Sequence, residues 1–176
     1  MTTWVLLAGL PGTGKSTLAR AVAAQLGGVV LDKDRVREAL FPNAMTDYSR
    51  EQDDLCVRDM LEAAAYLTQK QRVAFIFIDG RTFSWRGQID EVVQAAEQAG
   101  AAWRILHVTC LDAVAEDRLS RQDPENPARN RNADLYRDIK NRFETIAYPK
   151  LEVDTTKGVE PVVNEVCRFL AQPHLT

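Results

Sequence analysis

The sequence predicts a three-layer α/β/α sandwich built on a five-stranded parallel sheet, in one domain over residues 1–176. Short apolar runs of strand length alternate with helix-forming stretches along the chain, and this βαβ alternation favours a parallel sheet with right-handed crossovers. Polar residues also follow three of the apolar runs, and ligands of such sheets bind beyond the carboxyl ends of the strands. The fold class therefore also predicts where a functional site lies.

The first elements alternate in short steps. An apolar strand over residues 4–8 is followed by a helix over residues 18–26 that ends at two glycines. Val29–Leu31 is a second, short strand. A helix over Arg35–Leu40 follows it and stops at the next Phe-Pro pair.

A longer helix and a buried strand come next. Ser49 with Gln52 three residues later resembles a capping box, which predicts the start of a helix. The unbroken apolar run Val73–Ile78 is typical of a strand covered on both faces. The apolar stripe of the helix consists of Val57, Met60, Leu61, Ala64 and Thr68.

The second half continues the alternation. Its predicted elements are a helix over 87–99, a strand over 103–109, a helix capped by Asp112 and running to about Gln122, a helix with Leu135, Ile139, Phe143 and Ile146 on one face, a strand over 151–153, and a closing helix lined by Val159, Val162, Val163, Val166 and Leu170. The Pro-, Asn- and Arg-rich stretch 123–132 is a predicted loop.

The turn after the first strand carries a complete phosphate-binding motif of the form G-x-x-x-x-G-K-[ST], which predicts the P-loop NTPase fold. Its glycines let backbone N–H groups face phosphate oxygens, and the helix N-terminus adds partial positive charge. Lys15 would reach the β- and γ-phosphates, and the Ser16 hydroxyl would ligate Mg²⁺. The motif predicts ATP and Mg²⁺ as cofactors, with these nucleotide-binding residues, hereafter the phosphate loop: Gly9, Pro11, Gly12, Thr13, Gly14, Lys15, Ser16 and Thr17.

Composition narrows the function classes. The net charge of −3 argues against a broad nucleic-acid-binding surface, although it allows a local basic groove. The N-terminus lacks a secretory pattern, no apolar run reaches membrane-spanning length, and three widely spaced cysteines give neither a zinc pattern nor a disulfide framework. We therefore expect a cytoplasmic protein with no membrane partner.

Asp34 and Arg37 follow the second strand and begin the next helix. A hydroxyl that attacks a γ-phosphate needs a carboxylate to orient it and take its proton, and Asp34 is placed for that role. Arg37 lies on the same helix face and would bind the acceptor. The alternative is that Asp34 is only a helix cap. Asp32 either supports the water shell of Mg²⁺ or is an ordinary acid at a strand end.

Residues Gly9–Thr17 together with Leu31–Arg37 resemble the small P-loop kinases of the nucleoside-monophosphate-kinase-like superfamily. The most similar branch comprises the AAA-type ATP-binding bacterial kinases similar to polynucleotide 5′-kinase. The resemblance implies that Asp34 is the general base and Arg37 an acceptor ligand. Asp32-Lys33-Asp34 differs from the Asp-Gly-Asp of adenylylsulfate kinases, and Asp79-Gly80-Arg81 differs from the Gly-Gly-Gly of shikimate kinases.

The end of the third strand carries further candidates. Asp79 ends an apolar strand, as a Mg²⁺-associated acid does in phosphate-loop enzymes. Arg81 and Arg86 follow on the rim where an acceptor would lie, and they would bind acceptor phosphate or stack on a base. The alternatives are an ordinary strand-end acid and two solvated charges.

An arginine-rich lid is predicted over about residues 118–133. Arg118 and Arg121 lie one turn apart, and Arg129 and Arg131 follow in the loop. Mobile guanidinium groups that close on a transferring phosphoryl group stabilise its charge. By analogy with the superfamily, Arg121 is the predicted catalytic lid residue, and Arg118 would contact the nucleotide, with the adenine face as an alternative to the phosphates.

The sequence thus predicts an ATP-dependent kinase that phosphorylates a hydroxyl acceptor, either a small molecule or a nucleotide. A polynucleotide 5′-hydroxyl kinase and a nucleotide-binding switch or regulatory ATPase without an acceptor are the alternatives. No N-K-x-D stretch follows the fourth strand, which argues against a switch GTPase. The sequence indicates neither the acceptor nor the oligomeric state.

Overall fold

The computed structural model describes residues 1–121 and 132–172. Five strands form one parallel sheet in the order β2-β3-β1-β4-β5, and helices cover both of its faces. The strands are β1 Thr3–Ala8, β2 Val29–Asp32, β3 Phe75–Asp79, β4 Ala102–Thr109 and β5 Leu151–Asp154. The helices are α1 Lys15–Leu26, α2 Lys33–Leu40, α3 Arg50–Gln69, α4 Arg86–Gln98, α5 Asp112–Ser120, α6 Ala133–Asn141 and α7 Glu160–Ala171, with a short 3₁₀ turn at Asn43–Met45. The predicted sandwich is confirmed.

Alternation along β1 divides the core between the two faces. Trp4 and Leu6 pack with α3 and α4, whereas Val5 and Leu7 pack with α1 and α7. All four side chains are fully buried, because both faces of the central strand are covered. None of the described helices is both long and apolar enough to cross a membrane.

The start of α2 differs from the sequence prediction. The helix begins at Lys33 instead of Arg35, and Asp32 is its N-cap: the Asp32 carboxylate accepts a hydrogen bond from the Asp34 N–H at 2.9 Å. The capping function that was the alternative role for Asp34 is therefore carried by Asp32. Asp34 itself lies in the first turn.

The start of α3 agrees with the prediction at Ser49, whose hydroxyl accepts from the Gln52 N–H at 3.2 Å. The reciprocal half of the capping box is absent among the described contacts of Gln52. Its side-chain amide donates to the Met45 carbonyl and accepts from the Asp47 N–H instead. Gln52 thus fixes the loop before α3 against the helix.

Two predictions about the second half were wrong. Asp112 is the first residue of α5, whose N-cap is Leu111, and its carboxylate accepts from the Tyr136 hydroxyl at 2.7 Å and from Lys140. Helix α6 ends at Asn141, before Phe143 and Ile146.

The early end of α6 has a structural reason. The chain leaves helical geometry and brings Glu144 to the start of α4, where the Glu144 carboxylate accepts from the Arg86 N–H at 2.7 Å. The Glu144 N–H also donates to the Ser84 carbonyl at 2.9 Å. A carboxylate at a helix N-terminus satisfies an unpaired donor and interacts favourably with the helix dipole. We call this pair of contacts the Glu144 clasp.

Candidate active site

The carboxyl ends of β2, β3 and β1 lie side by side, because β3 pairs in parallel with both neighbours. Asp32 at the end of β2 pairs in register with Asp79 at the end of β3. The phosphate loop follows β1 directly. The three polar strand ends predicted from the sequence therefore meet at one edge.

The phosphate loop adopts a conformation that only glycine allows at its first position. Gly9 has φ of +142°, and a Cβ there would lie 2.2 Å from the Val108 carbonyl oxygen. The Lys15 ammonium closes the loop by donating to the carbonyls of Gly9 and Leu10, each at 2.8 Å. Helix α1 starts after Gly14 without a side-chain cap, so its first N–H groups face the loop. This is an anion-binding geometry.

The remaining residues of the motif follow from this geometry. Pro11 lines the cleft described below, and the Thr13 hydroxyl donates to the Leu10 carbonyl at 2.8 Å. Ser16 is half-buried in the first turn of α1, and Thr17 is exposed.

Arg118 and Thr155 brace the phosphate loop. The Arg118 guanidinium donates to the Gly12 carbonyl at 3.3 Å and to the Thr155 carbonyl at 2.7 Å. The fully buried Thr155 hydroxyl donates to the Thr13 carbonyl at 2.6 Å. Arg118 thus lies beside the loop. Thr155 was missed, because a threonine after a weak strand carries no motif.

Asp34 lies in a buried network of two cations and two carboxylates. Its carboxylate is 2.7 Å from an Arg37 nitrogen and 3.7 Å from the Lys33 ammonium. Asp53 of α3 contacts both cations, Lys33 at 2.9 Å and Arg37 through its other oxygen. Lys33, Asp34 and Arg37 are each less than 10% exposed. We call these four residues the Asp34 network.

Lys33 and Asp53 were not predicted from the sequence. Lys33 carried a weak signal, as a lysine between two aspartates at a strand end. Asp53 gave none, since it lies in an ordinary acidic first turn of a helix. Tyr48 extends the network, because its ring lies 5.2 Å from the Arg37 guanidinium. Tyr48 has φ of +54°, an unfavourable backbone conformation of the kind that occurs at functional sites.

Asp79 is the most deeply buried acid at this edge. It is 1% exposed, and among the described residues neither of its carboxylate oxygens has a hydrogen-bond partner. Burial raises the pKa of Asp32, and the charges of Asp79 and Asp34 raise it further. A divalent cation beside Asp79 would compensate this excess of negative charge.

Mg²⁺ fits this donor set. The described residues hold no cluster of three or more acidic, histidine or cysteine side chains able to bind a metal. Mg²⁺ in phosphotransferases is held by one or two protein oxygens together with nucleotide phosphates and water. The Asp79 carboxylate and the Ser16 hydroxyl supply oxygens of this kind.

The other predicted arginines are placed differently from one another. Arg81 is 7% exposed and contacts Asp54 and Glu91, the latter at 3.6 Å. Arg86 is 74% exposed, and its guanidinium lies 3.6 Å from Asp90 on the outer side of α4. Arg86 therefore does not join the others.

Arg121 is 76% exposed and contacts Asp117 at 2.6 Å, so the structure does not bring it to the phosphate loop. Most of the predicted lid, including Arg129 and Arg131, lies outside the described residues.

A cleft of about 310 Å³ extends from the phosphate loop to the Asp34 network. Lys15 of the phosphate loop and Asp34 both line it, together with Arg81. A phosphate bound by Lys15 and a hydroxyl beside Asp34 would therefore share one space. The lining also includes site residues that the sequence did not predict, from α3, the segment before α4, the first turn of α4, and α6 with the residue after it: Arg50, Thr82, Ser84, Trp85, Gln88, Leu135, Ile139 and Arg142.

Comparisons with known proteins agree with this architecture. The family model described as AAA domain (AAA_33) matches residues 5–146. Comparison with curated protein sequences gives no significant match.

Three solved structures illustrate the similarity in fold. A proposed kinase from Chloroflexus aurantiacus is 22% identical, with 99% of each chain covered and a TM-score of 0.76. The APS kinase of Mycobacterium tuberculosis, in complex with AMPPNP and APS, is 19% identical over 97% of this chain and 98% of that one, with a TM-score of 0.70. A gluconokinase from Sinorhizobium meliloti is 16% identical over 96% and 91%, with a TM-score of 0.66. The match over residues 5–146 shows that the chain belongs to the AAA_33 family, and its fold is that of P-loop kinases.

Proposed function

We propose that this AAA_33 domain is an ATP- and Mg²⁺-dependent kinase that transfers the γ-phosphate to a hydroxyl group of a small acceptor. One observation carries the proposal: Lys15 and Asp34 line the same cleft. A phosphate-binding cation and a buried carboxylate on one cavity are the two groups that phosphoryl transfer to a hydroxyl requires. The similar fold of the APS kinase, which was solved with AMPPNP, supports ATP as the donor.

On the donor side, Lys15 would exchange its two carbonyl partners for β- and γ-phosphate oxygens. The N–H groups at the start of α1 bind the same phosphates, and Arg118 holds the loop and contacts the nucleotide. Asp79 and Ser16 would hold Mg²⁺, which would supply positive charge to offset that of the phosphates.

On the acceptor side, Asp34 orients the acceptor hydroxyl and takes its proton as the oxygen attacks phosphorus. Lys33 and Arg37 hold the carboxylate in place through ion pairs. Asp53 also pairs with both cations, so their positive charge is divided between Asp34 and Asp53. Arg37 and Arg81 are the proposed acceptor ligands.

Arg121 remains a proposed catalytic residue. Its exposed ion pair with Asp117 is of a kind that contributes little to stability, so exchanging it for a phosphate costs little. Arg86 is the weakest of the proposed acceptor ligands, since its guanidinium lies outside the cleft.

A transfer assay tests the proposal. Labelled ATP is incubated with oligonucleotide 5′ ends, nucleosides, sugars, sugar acids and aminoglycosides, with wild-type protein and the Asp34→Asn variant. We expect transfer to one acceptor class. The variant should turn over roughly 10²–10⁴-fold more slowly with ATP binding little changed, because it loses the proton acceptor.

Asp134→Asn is the matched control, since its carboxylate is 92% exposed on α6 and lies outside the cleft. Full specific activity in the folded fraction of Asp34→Asn would reduce Asp34 to a structural role. ATP hydrolysis without transfer to any acceptor, unchanged in Asp34→Asn, would favour the nucleotide-binding switch.

A further inference from the structure

One wall of the cleft is more basic than the proposed transfer step requires. The cleft is lined by six basic and two acidic side chains. Lys15 belongs to the phosphate loop, and Lys33 and Arg37 are balanced within the Asp34 network. Three guanidinium groups remain, those of Arg50, Arg81 and Arg142.

The carboxylate partners of these guanidiniums lie outside the cleft lining. They are Asp54 for Arg50 and Arg81, Glu91 for Arg81, and Asp138 for Arg142. All three carboxylates are at least 44% exposed, so solvent screens their ion pairs strongly. The guanidinium groups therefore face the cleft, while the carboxylates that balance their charge face water.

Arg50 and Arg81 are close enough to bind one anion together. Asp54 contacts both of them: one carboxylate oxygen lies 3.6 Å from the Arg50 Nε, and the other contacts Arg81. Two guanidiniums that share a carboxylate of the protein are spaced to share a carboxylate or phosphate of a ligand. The Arg50 guanidinium also lies 4.7 Å from the centroid of the Trp85 ring, which limits its freedom.

Gln88 adds a neutral polar group to the same wall. It lies in the first turn of α4 and lines the cleft, and among the described residues its buried side-chain oxygen has no hydrogen-bond partner. A buried acceptor of this kind needs a donor, and a ligand hydroxyl is one.

We propose that the phosphate acceptor is a small polyhydroxylated anion. Its carboxylate or phosphate group binds Arg50 and Arg81, one hydroxyl donates to Gln88, and the reacting hydroxyl faces Asp34. The cleft volume of about 310 Å³ suits a molecule of sugar size. This inference rests on the proposed kinase function and specifies its acceptor.

Matched pairs of probes test the charge requirement. The rate of ADP release is measured with a six-carbon aldonate against the corresponding alditol, and with a hexose 6-phosphate against the free hexose. We expect kcat/KM to be at least about 10-fold higher for the charged member of one pair, since hydrogen bonds to charged groups are worth that factor or more. The preferred pair distinguishes a carboxylate from a phosphate.

Single substitutions test whether Arg50 binds the charged group of the probe. Arg50→Gln should raise the KM for the charged probe by about 10-fold and leave the KM for ATP unchanged. Arg50 is 72% exposed, so this variant should fold. Arg58→Gln is the matched control, because it removes one exposed arginine charge from the same helix at a position outside the cleft lining, and it should change neither constant.

Two results would overturn the inference while the kinase function stands: equal use of the neutral and charged probes, or an unchanged KM in Arg50→Gln. If no probe is phosphorylated, calorimetric titration of the same four probes into the ADP·Mg²⁺-loaded protein decides. Binding of an anion that Arg50→Gln weakens supports the inference, and absence of such binding overturns it. Failure of the protein to bind ADP·Mg²⁺ when it is loaded for this experiment would overturn the proposed function as well.

Discussion

The two sides of the cleft are held together in different ways. On the nucleotide side, the partners are mostly backbone carbonyls: Lys15 binds two, and Arg118 and Thr155 bind three more around the phosphate loop. On the acceptor side, charged side chains bind one another, as in the Asp34 network. Backbone contacts fix a shape, whereas ion pairs fix a balance of charge. The nucleotide side should therefore tolerate little change, and the acceptor side should adapt to other acceptors.

The largest effect should come from the nucleotide side. Lys15→Ala should lower turnover by about 10⁴-fold, because a cation on a transferring phosphoryl group contributes 10³–10⁵-fold. The protein should stay folded, which circular dichroism and thermal unfolding check beside initial rates. Lys70→Ala, at the exposed end of α3, is the control. Turnover near wild type in Lys15→Ala would remove the phosphate loop from the reaction.

Asp79 tests whether a metal connects the two sides. Asp79→Asn should raise the Mg²⁺ concentration for half-maximal rate by about 10–100-fold. Without Mg²⁺ the same variant should have a higher Tm by about 2–4 °C, since a buried carboxylate without a partner is lost. Weaker use of Mg²⁺ together with a higher Tm in the absence of Mg²⁺ is expected only if Asp79 binds a cation. An unchanged Mg²⁺ requirement would contradict that role.

Thr155 tests whether the nucleotide side depends on shape. Thr155→Val removes the hydroxyl that donates to the Thr13 carbonyl, which should lower the free energy of unfolding by about 1–3 kcal/mol. The KM for ATP should rise several-fold, while the KM for the acceptor stays constant. Thr155→Ser keeps the hydroxyl and should restore both values. Equal changes in the two KM values would show that the sides are not separate.

The smallest effect concerns pH. His107 of β4 stacks on Phe143 at a centroid distance of 5.7 Å, and burial lowers its pKa although Glu152, 3.5 Å away, opposes this. The folded protein therefore disfavours the protonated imidazole. This contribution to stability is complete above the unfolded-state pKa of about 6.5 and is lost as the pH falls through the lower folded-state pKa.

Chemical unfolding between pH 7 and 5 measures this loss. The slope contributed by His107 cannot exceed about 1.4 kcal/mol per pH unit, the value for one proton, and His107→Phe should abolish it. Subtracting it separates the pH dependence of folding from that of turnover. An unchanged slope in His107→Phe would assign the acid loss of stability to other groups.

The sequence predicted the nucleotide side better than the acceptor side. The five strands and the loop at Gly9–Thr17 follow from local patterns, since backbone geometry restricts which residues fit. Asp53 and Gln88 reach the cleft from α3 and α4, which pack against each other, and Arg142 reaches it from the end of α6. No local spacing encodes such a meeting of distant segments.

The two wrong predictions, the cap at Asp112 and the length of α6, also come from contacts between distant segments. Asp112 has the residue type of a cap but is drawn to Tyr136 and Lys140 of another helix. Helix α6 was predicted too long because Phe143 continues the apolar period, while Glu144 is held at α4. Tertiary contacts overrode local preference in both cases.

The Glu144 clasp has a practical consequence for redesign. It connects the chain directly after α6 to the start of α4, so the segments that carry Arg142 and Gln88 are held together. Exchange of Glu144 would remove the side-chain half of the clasp and loosen the connection between the two segments. An engineer who wishes to transplant a new acceptor preference should therefore graft residues 84–88 and 142–144 as one cassette and leave the sheet and the phosphate loop untouched.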